Sequence, residues 1–503
     1  MKSVVSLYNH YKQPVILQLY DIQKFFDREM LVDGMDAIYN SGVQGKLYRL
    51  LYMMNKNTII RVKTGVGMTE EQETGENIGQ GTGEGAIISA ANIADGVANA
   101  FRHSPNEISY GEEDLKPLLF QDDISRMCES VEAAQCGNEL VTHVMESKLL
   151  DFNIDKSCYM VVGNPKWKVG IMKSLESSPL TLSGFPMKGV IQEKYLGDYI
   201  HCLGNPESVT ATVNARHGLA TTAISEIKSV LEDCRINVVG GLSAGIDIWE
   251  LSVLPFLLNN SDVWGNIPPG VLEQLEELQK KFFRYLFATP ISTPGPALLW
   301  ETGALTMENR IKMRKLTFYH HLLSLEHDAV ASRVAMVADR AGYPGLLKEY
   351  KSLCTEFNLP IPSKMSKQSW KNMVKTAIYE ANKNNLLTLI KSKYQKLDYD
   401  ILKNEKYEMK DYVKNLYLHE GRMKFQIRSK MVKTVAFNFS SDPKFSSQLW
   451  QCSHCDKMDS QSHILICDSY KPMREGKDLN CDKDLVAYFK DVISLREKLE
   501  DIV

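Results

Sequence analysis

The 503-residue sequence lacks a long apolar segment, since no stretch approaches the roughly 18 uninterrupted apolar residues of a membrane-spanning helix. It also lacks a signal peptide: MKSVVSLYNHYKQ has neither an apolar core of sufficient length nor a small-residue cleavage site. A strong charge bias is missing as well, because 59 Lys and Arg oppose 62 Asp and Glu for a net charge of −3. These absences predict an intracellular protein without a membrane span and exclude a uniformly basic nucleic-acid coat.

The ten cysteines do not form the dense framework of a small disulfide-stabilised secreted domain, which agrees with a reducing compartment. Cys452, Cys455, His463 and Cys467 form the pattern C-x2-C-x7-H-x3-C. Four soft or borderline ligands at this spacing predict one tetrahedral structural Zn²⁺. His454 is a rival ligand, but we prefer His463, because the second ligand pair of a knuckle is displaced from the first.

A hydrophobic content of 44% with 24% charged residues is typical of a folded chain, and the length suggests about three domains. Short apolar runs alternate with helical patterns over the first 200 residues. We predict a strand in VILQLY, two strands around a turn in LKPLLFQDDISRM, a strand ending DFNIDKSCYMVVG, and one strand in KYLGDYIHC. AIISAANIADGVANAF and residues 125–150 are predicted helices. This order predicts an α+β fold with an antiparallel sheet.

Helical patterns dominate after about residue 208. From Lys364 to Lys433 the sequence holds 17 Lys and Arg against 7 Asp and Glu, a local charge of +10. The rest of the chain therefore carries −3 − 10 = −13. Trp370, Tyr394, Tyr407 and Tyr417 are interleaved with these basic residues. The pattern fits either phosphate contact with base stacking or a solvated helical face.

Asp21 follows an apolar strand, and Asp122 and Asp123 occupy the predicted hairpin turn. Adjacent carboxylates raise each other's pKa unless a cation lies between them. Mg²⁺ prefers oxygen ligands, and two metal ions about 3.5–4 Å apart can stabilise both oxygens of a phosphoryl displacement. A solvated turn is the alternative, because Asp favours turns. The apolar residues on both sides of the pair argue against a turn of that kind.

Five segments together resemble the palm motifs of reverse transcriptases from non-long-terminal-repeat (LINE-like) retrotransposons. In order they are YDIQKFFD, GQGTGEGAIIS, LLFQDDI, DFNIDKSCYMVVG and KYLGDYI. The resemblance spans about residues 14–202 and continues more weakly through LEELQKKFFRYLFATPISTP and LLWETGALTMENRIKMRKLTFYHHLL. It implies an RNA-directed DNA polymerase that uses dNTPs, an RNA template and a DNA primer or target. A nuclear location is implied by this resemblance alone.

The resemblance also implies roles for individual residues. Asp21, Asp122 and Asp123 would hold two Mg²⁺ ions during transfer to a primer 3′-OH. Phe26 would lie under the sugar and favour deoxynucleotides, with plain core packing as its alternative. Lys156 would approach the leaving pyrophosphate, unless it is a solvated turn lysine. Gln80 and Gly81 would lie along the template and the incoming base.

The implied domains are a palm (1–207), a helical thumb (208–350), a basic helical connection (351–440), a zinc knuckle (441–475) and a helical tail (476–503). The knuckle resembles the Cys-Cys-His-Cys element that follows the polymerase in LINE-like proteins, where it is thought to hold nucleic acid. Only twenty residues precede Asp21, so we expect the basic fingers region that usually lies upstream to be missing.

Several features depart from the family pattern. Gln121 precedes the aspartate pair where the family usually has Ala, and five glutamates lie in or beside the glycine-rich loop. A separate interpretation of that loop, as the phosphate-binding P-loop of an NTPase, is disfavoured because no Gly-Lys-Ser/Thr follows it. The missing fingers and the acidic loop favour a second hypothesis, a truncated or domesticated remnant that binds nucleic acid without catalysis. A third hypothesis is a helical scaffold with a zinc clip.

Overall fold

A computed structural model of the protein describes residues 2–56, 59–73, 78, 82–102, 108–110, 113–163, 165–233, 238–326, 329–340, 345–362, 365–393, 402–432, 451–452 and 454–500. The chain divides into two units. The first combines Met1–Ala211 with Glu326–Lys348, and the second combines Thr212–Leu325 with Glu349–Val503.

A five-stranded sheet organises the first unit, in the order β13-β10-β1-β9-β8. All neighbours are antiparallel except β10 and β13, which are parallel. The strands are β1 (Val15–Tyr20), β8 (Leu118–Phe120), β9 (Asp123–Cys128), β10 (Cys158–Val162) and β13 (Lys188–Gly189). The structure confirms the predicted α+β class.

Shorter strands form hairpins outside this sheet. They are β2 (Ile59–Ile60), β3 (Lys63–Thr64), β4 (Gly67–Met68), β5 (Gln72–Glu73), β6 (Ile108–Tyr110), β7 (Glu113–Leu115), β11 (Thr181–Leu182), β12 (Phe185–Pro186), β14 (Gln192–Tyr195) and β15 (Asp198–His201).

Helices surround the sheet of the first unit. They are α1 (Lys2–Tyr11), α2 (Phe25–Arg28), α3 (Leu31–Asn40), α4 (Gly45–Asn55), α5 (Gly83–Phe101), α6 (Val131–Ser147), α7 (Pro165–Ser177) and α14 (Val330–Arg340). α8 (Asn205–Asp233) begins in this unit.

Strand β1 is buried on both faces, which explains why VILQLY is apolar at nearly every position. Ile16 and Tyr20 belong to the core that includes side chains of α5 and α6. Val15, Leu17 and Leu19 belong to a second core that includes side chains of α1 and α14. Successive side chains of a strand point to opposite faces, so β1 contributes to both cores. Burial in two cores holds the end of β1 firmly in the unit.

The second unit is helical. Its helices are α9 (Gly241–Ile248), α10 (Leu254–Leu257), α11 (Pro269–Leu286), α12 (Gly295–Thr302), α13 (Met307–Ser324), α15 (Leu346–Glu356), α16 (Lys367–Lys393), α17 (Asp411–Asn415), α18 (Leu418–Arg428), α19 (Gln461–Ile466), α20 (Lys471–Arg474) and α21 (Asp482–Glu500). A π-helical turn, Trp249–Val253, joins α9 to α10, and one hairpin pairs β16 (Gln451–Cys452) with β17 (Cys455–Met458).

Two predicted elements need correction. KYLGDYIHC is a hairpin of β14 and β15, because Leu196 and Gly197 adopt positive φ angles of 48° and 81° and reverse the chain. Residues 125–150 are not helical throughout, since β9 continues to Cys128 and α6 begins at Val131. Within the described residues, no helix combines the length and apolar composition required to cross a membrane.

Candidate active site and candidate metal centre

Asp21 is held at the end of β1 by contacts on its own backbone. Its N–H donates to Ser157 Oγ at 3.1 Å, and its carbonyl accepts from the N–H of Asn153 at 2.8 Å. The next residue, Ile22, forms an isolated bridge with Phe152. The backbone that carries the Asp21 carboxylate is therefore fixed against residues 151–157.

The β8–β9 hairpin carries the other two carboxylates. Phe120 pairs with Asp123, so Gln121 and Asp122 form the two-residue turn. Gln121 has a φ of 55°, a left-handed conformation that is uncommon for residues other than glycine. The predicted pair of strands around a tight turn is confirmed.

The strand register brings the aspartates of the two strands together. Tyr20 on β1 pairs with Ile124 on β9, so Asp21 and Asp123 come next at the same end of the sheet. Burial raises the pKa of Asp122, the negative charge of Asp21 raises it further, and Lys156 opposes the rise. Burial also raises the pKa of Asp123, with added contributions from Asp122 and Asp21. The three carboxylates therefore form one electrostatic group.

Such a group has the donor chemistry for Mg²⁺, because a hard dication prefers carboxylate oxygens and relieves repulsion between them. The Nζ of Lys156 lies 3.8 Å from Asp21 Oδ2, and its side chain is 70% exposed. One ammonium group balances only part of three carboxylates. The remaining negative charge is the feature that fits a bound dication.

The other residues predicted for this site are Phe26, Gln80 and Gly81. Phe26 lies in α2, half-buried against the core on the α5 side of the sheet, with its ring centroid 5.3 Å from that of Phe25. Its role at the sugar stays a prediction. Gln80 and Gly81 lie outside the described residues. Immediately after them, Thr82 caps α5 by accepting a hydrogen bond from the N–H of Gly85 at 3.1 Å.

The predicted zinc ligands converge in the second unit. One ligand atom from each of Cys452, Cys455, His463 and Cys467 lies within 4.8 Å of the others. Cys455 Sγ and His463 Nε2 are 3.2 Å apart. Three thiols and one imidazole at this separation fit a tetrahedral Zn²⁺, whose bonds are about 2.0–2.3 Å long. His463 belongs to this group of possible ligands, whereas His454 places its ring edge-to-face with Tyr470, with 5.5 Å between the ring centroids.

Local structure explains how the four ligands meet. Cys452 and Cys455 pair across the β16–β17 hairpin. Ser460 caps α19 by accepting from the N–H of His463 at 3.1 Å, and Cys467 directly follows that helix. The hairpin and the helix thus each supply two ligands.

Two arginines that the sequence did not reveal support this cluster. Arg474 donates to the carbonyl of Cys467 at 2.8 Å. Arg496 donates to both carboxylate oxygens of the buried Asp459, at 2.6 and 3.0 Å. Both arginines follow Cys467, the last residue of the Cys/His pattern, so the spacing of the ligands did not predict them.

Two of the four aromatic residues of the basic stretch make internal contacts. Trp370 is fully buried and donates to the carbonyl of Leu316 at 2.7 Å. Tyr407 is half-buried and donates to Leu299 and Ala304 carbonyls. The stacking interpretation is therefore wrong for Trp370, and Tyr407 is committed to internal hydrogen bonds. Tyr417 is 41% exposed, and Tyr394 lies outside the described residues.

Comparison with known proteins gives matches among solved structures. No family model matches the chain, and no curated protein matches it. A structure of telomerase from Candida albicans in complex with the TWJ fragment of telomeric RNA matches with a TM-score of 0.30 and 13% identity. The match covers 75% of this chain and 52% of the telomerase chain, so this chain spans about half of that neighbour's length. A similarity this distant carries no argument about function.

Proposed function

We propose that the chain is an RNA-directed DNA polymerase of the type found in LINE-like retrotransposons. The observation that supports this proposal most strongly is that Asp21 and the Asp122–Asp123 turn lie together at one end of the sheet. In this proposal residues 1–207 are the palm, 208–350 the thumb, 351–440 the basic connection, and 441–475 the knuckle, followed by the 476–503 tail.

In the proposed reaction, the 3′-hydroxyl oxygen of a primer attacks the α-phosphorus of a dNTP. The new P–O bond forms as the bond to the β-phosphate oxygen breaks, the hydroxyl proton passes to solvent, and pyrophosphate leaves. Asp21, Asp122 and Asp123 would hold two Mg²⁺ ions, which supply positive charge at the attacking and leaving oxygens. The exposed ammonium group of Lys156 adds positive charge beside the same carboxylates and would contact the leaving pyrophosphate.

The basic stretch offers a surface for the nucleic-acid backbone. Lys367, Lys371 and Lys375 are exposed on α16 and recur every four residues, so they lie along one side of the helix. Phosphate contact needs only such exposed cations and does not require the buried aromatic rings. We propose that this row of lysines and the zinc knuckle hold the nucleic acid.

The proposal is tested by primer extension with purified full-length protein, an RNA template, a labelled DNA primer, four dNTPs and Mg²⁺. We expect products whose sequence follows the template when the template is changed. The Asp21→Asn variant should give none, because it removes one metal ligand while keeping the size of the side chain. The proposal would be contradicted if the product sequence did not follow the template, or if Asp21→Asn extended the primer as well as wild type does.

The second candidate function is nucleic-acid binding without catalysis. It is favoured by the exposure of Glu70, Glu71 and Glu73, which would repel a template passing beside the glycine-rich loop. It predicts that the wild-type protein binds RNA but extends no primer, with either Mg²⁺ or Mn²⁺.

A further inference from the structure

Helix α4 is apolar on two opposite sides. Tyr48, Leu51 and Tyr52 pack against a core formed by Leu31, Met35, Ile38, Ile78 and Ile88. The other side carries four exposed side chains, which we call the outer face of α4: Leu47 (55% exposed), Leu50 (55%), Met53 (70%) and Met54 (52%).

The four outer residues form a stripe along the helix. At 3.6 residues per turn, Leu47, Leu50 and Met54 fall within a sector of about 60°, and Met53 lies about 60° beyond Leu50. A helix that is apolar around most of its circumference is normally covered on all sides. The outer face of α4 therefore has the composition of an interface.

The charged side chains of α4 itself are all basic. Residues 41–69 contain five basic residues and no Asp or Glu. Lys46 and Arg49 are exposed on α4 itself, on the Met53 side of the stripe, and Lys56 follows the helix. On the adjoining hairpins Arg61 is paired with Glu71, so the positive border of the stripe comes from α4 and Lys56. An occupant of the stripe would meet apolar side chains bordered by positive charge.

We propose that the outer face of α4 binds an acidic amphipathic helix of a partner protein. Leu and Met side chains bury well against another helix, and Met adapts to the shape of its partner. Carboxylates at the border of that helix would match Lys46 and Arg49. Nucleic acid fits less well, because the stripe offers no ring on which a base could stack. A lipid surface fits less well for a related reason, since the stripe lacks the Trp or Phe that anchors interfacial helices.

The test uses full-length protein and a fluorescein-labelled 18-residue helical peptide with leucines at i, i+3, i+4 and i+7 and glutamates bordering them. A matched peptide carries Lys in place of every Glu. In fluorescence anisotropy, we expect the Glu peptide to bind at least tenfold more tightly than the Lys peptide. Leu50→Gln with Met54→Gln should weaken this binding at least tenfold, and Lys46→Glu with Arg49→Glu should reverse the preference.

A control variant, Leu251→Gln with Ile291→Gln, changes two exposed apolar residues of the second unit and should bind like wild type. Unchanged circular dichroism should show that every variant folds. Equal affinity for the two peptides, or no binding of the Glu peptide, would overturn the proposal. It would also be overturned if Leu50→Gln with Met54→Gln abolished binding of a single-stranded RNA oligonucleotide, binding of anionic vesicles, or a dimer seen by sedimentation.

Discussion

The Nζ of Lys156 lies 3.8 Å from the Oδ2 of Asp21, at the point where residues 151–157 are fixed against the end of β1. Asp21 also shares its charge environment with Asp122 and Asp123. Lys156 therefore lies beside a group of three carboxylates. A single ammonium group compensates only part of the negative charge of these carboxylates.

We predict that Asp122→Asn and Asp123→Asn each stabilise the metal-free first unit at pH 7. Burial first, and neighbouring carboxylates second, raise the pKa of both side chains, so their ionised forms are unfavourable in the folded state. The melting temperature should rise by about 1–3 °C, which corresponds to a fraction of a kcal/mol in a unit of this size. Calorimetry without divalent metal measures the change.

The pH dependence of that gain has a definite sign. The folded-state pKa of Asp122 lies above the usual value of 3.8. Ionisation of this carboxylate in the folded state therefore costs no stability below pH 3.8, and the cost grows as pH rises through the folded-state pKa. The advantage of the Asn variants should shrink as pH falls toward about 4. Asp155→Asn, at an exposed position in the nearby loop, should change little at any pH. Lower melting temperatures for Asp122→Asn and Asp123→Asn at pH 7 would contradict the assigned repulsion.

Gln121→Gly should stabilise the hairpin turn. A left-handed backbone costs a residue with a Cβ about 1–2 kcal/mol, and glycine avoids that cost. After the greater unfolded-state entropy of glycine is subtracted, a gain of about 0.5–1 kcal/mol is expected. Gln274→Gly, within α11, should instead lose about 1 kcal/mol. Urea unfolding of both variants measures the two effects, and a loss at Gln121 would show that its side chain makes a compensating contact.

The sequence predicted that Asp21 and the Asp122–Asp123 turn lie at the same end of the sheet, because the local signals were strong. An apolar strand ends at Tyr20, and Leu118–Phe120 with Ile124 flank the aspartate pair, so strand register alone brings the acids together. Cys/His spacing likewise predicted the convergence of the four zinc ligands. Each of the four ligands lies within eight residues of its neighbour in the pattern, so little long-range information was needed.

Burial in the helical unit could not be predicted in the same way. Trp370 lies among lysines in the sequence, yet tertiary packing buries its ring in the core. Its Nε1–H donates a hydrogen bond to the carbonyl of Leu316. The turn in KYLGDYIHC was missed because its Leu-Gly signal lies inside an apolar run. Nothing in the pattern of α4 distinguishes its packed side from its outer face, because both are apolar.

We predict that the Cys/His cluster binds one Zn²⁺ and that Cys455→Ser lowers the zinc content. Cys481→Ser, at an exposed cysteine outside the cluster, should keep wild-type stoichiometry. Few apolar residues support residues 451–470, so metal binding should supply much of their local stability. Chelation should therefore raise hydrogen exchange there and leave the β1 sheet unchanged. Equal zinc content in wild type and Cys455→Ser would remove the proposed metal centre.

We predict that Lys371→Glu with Lys375→Glu weakens RNA binding and flattens its dependence on salt. Each lost phosphate contact should lower the slope of log affinity against log salt by about 0.7 for single strands. Lys12→Glu with Lys173→Glu makes the same change in net charge at exposed positions of the first unit. Titrations at several salt concentrations should separate the two double variants. Identical slopes would show that the α16 lysines form only a solvated face.

The most direct test of the central claim is single-turnover primer extension by Asp122→Asn, measured beside wild type and Asp155→Asn in saturating Mg²⁺. The metal-ligand account predicts that Asp122→Asn loses at least about 100-fold in rate, since the carboxylate acts in the transition state. It predicts that Asp155→Asn stays within about twofold of wild type, because that carboxylate is exposed and outside the group. Equal rates for Asp122→Asn and wild type would contradict the account.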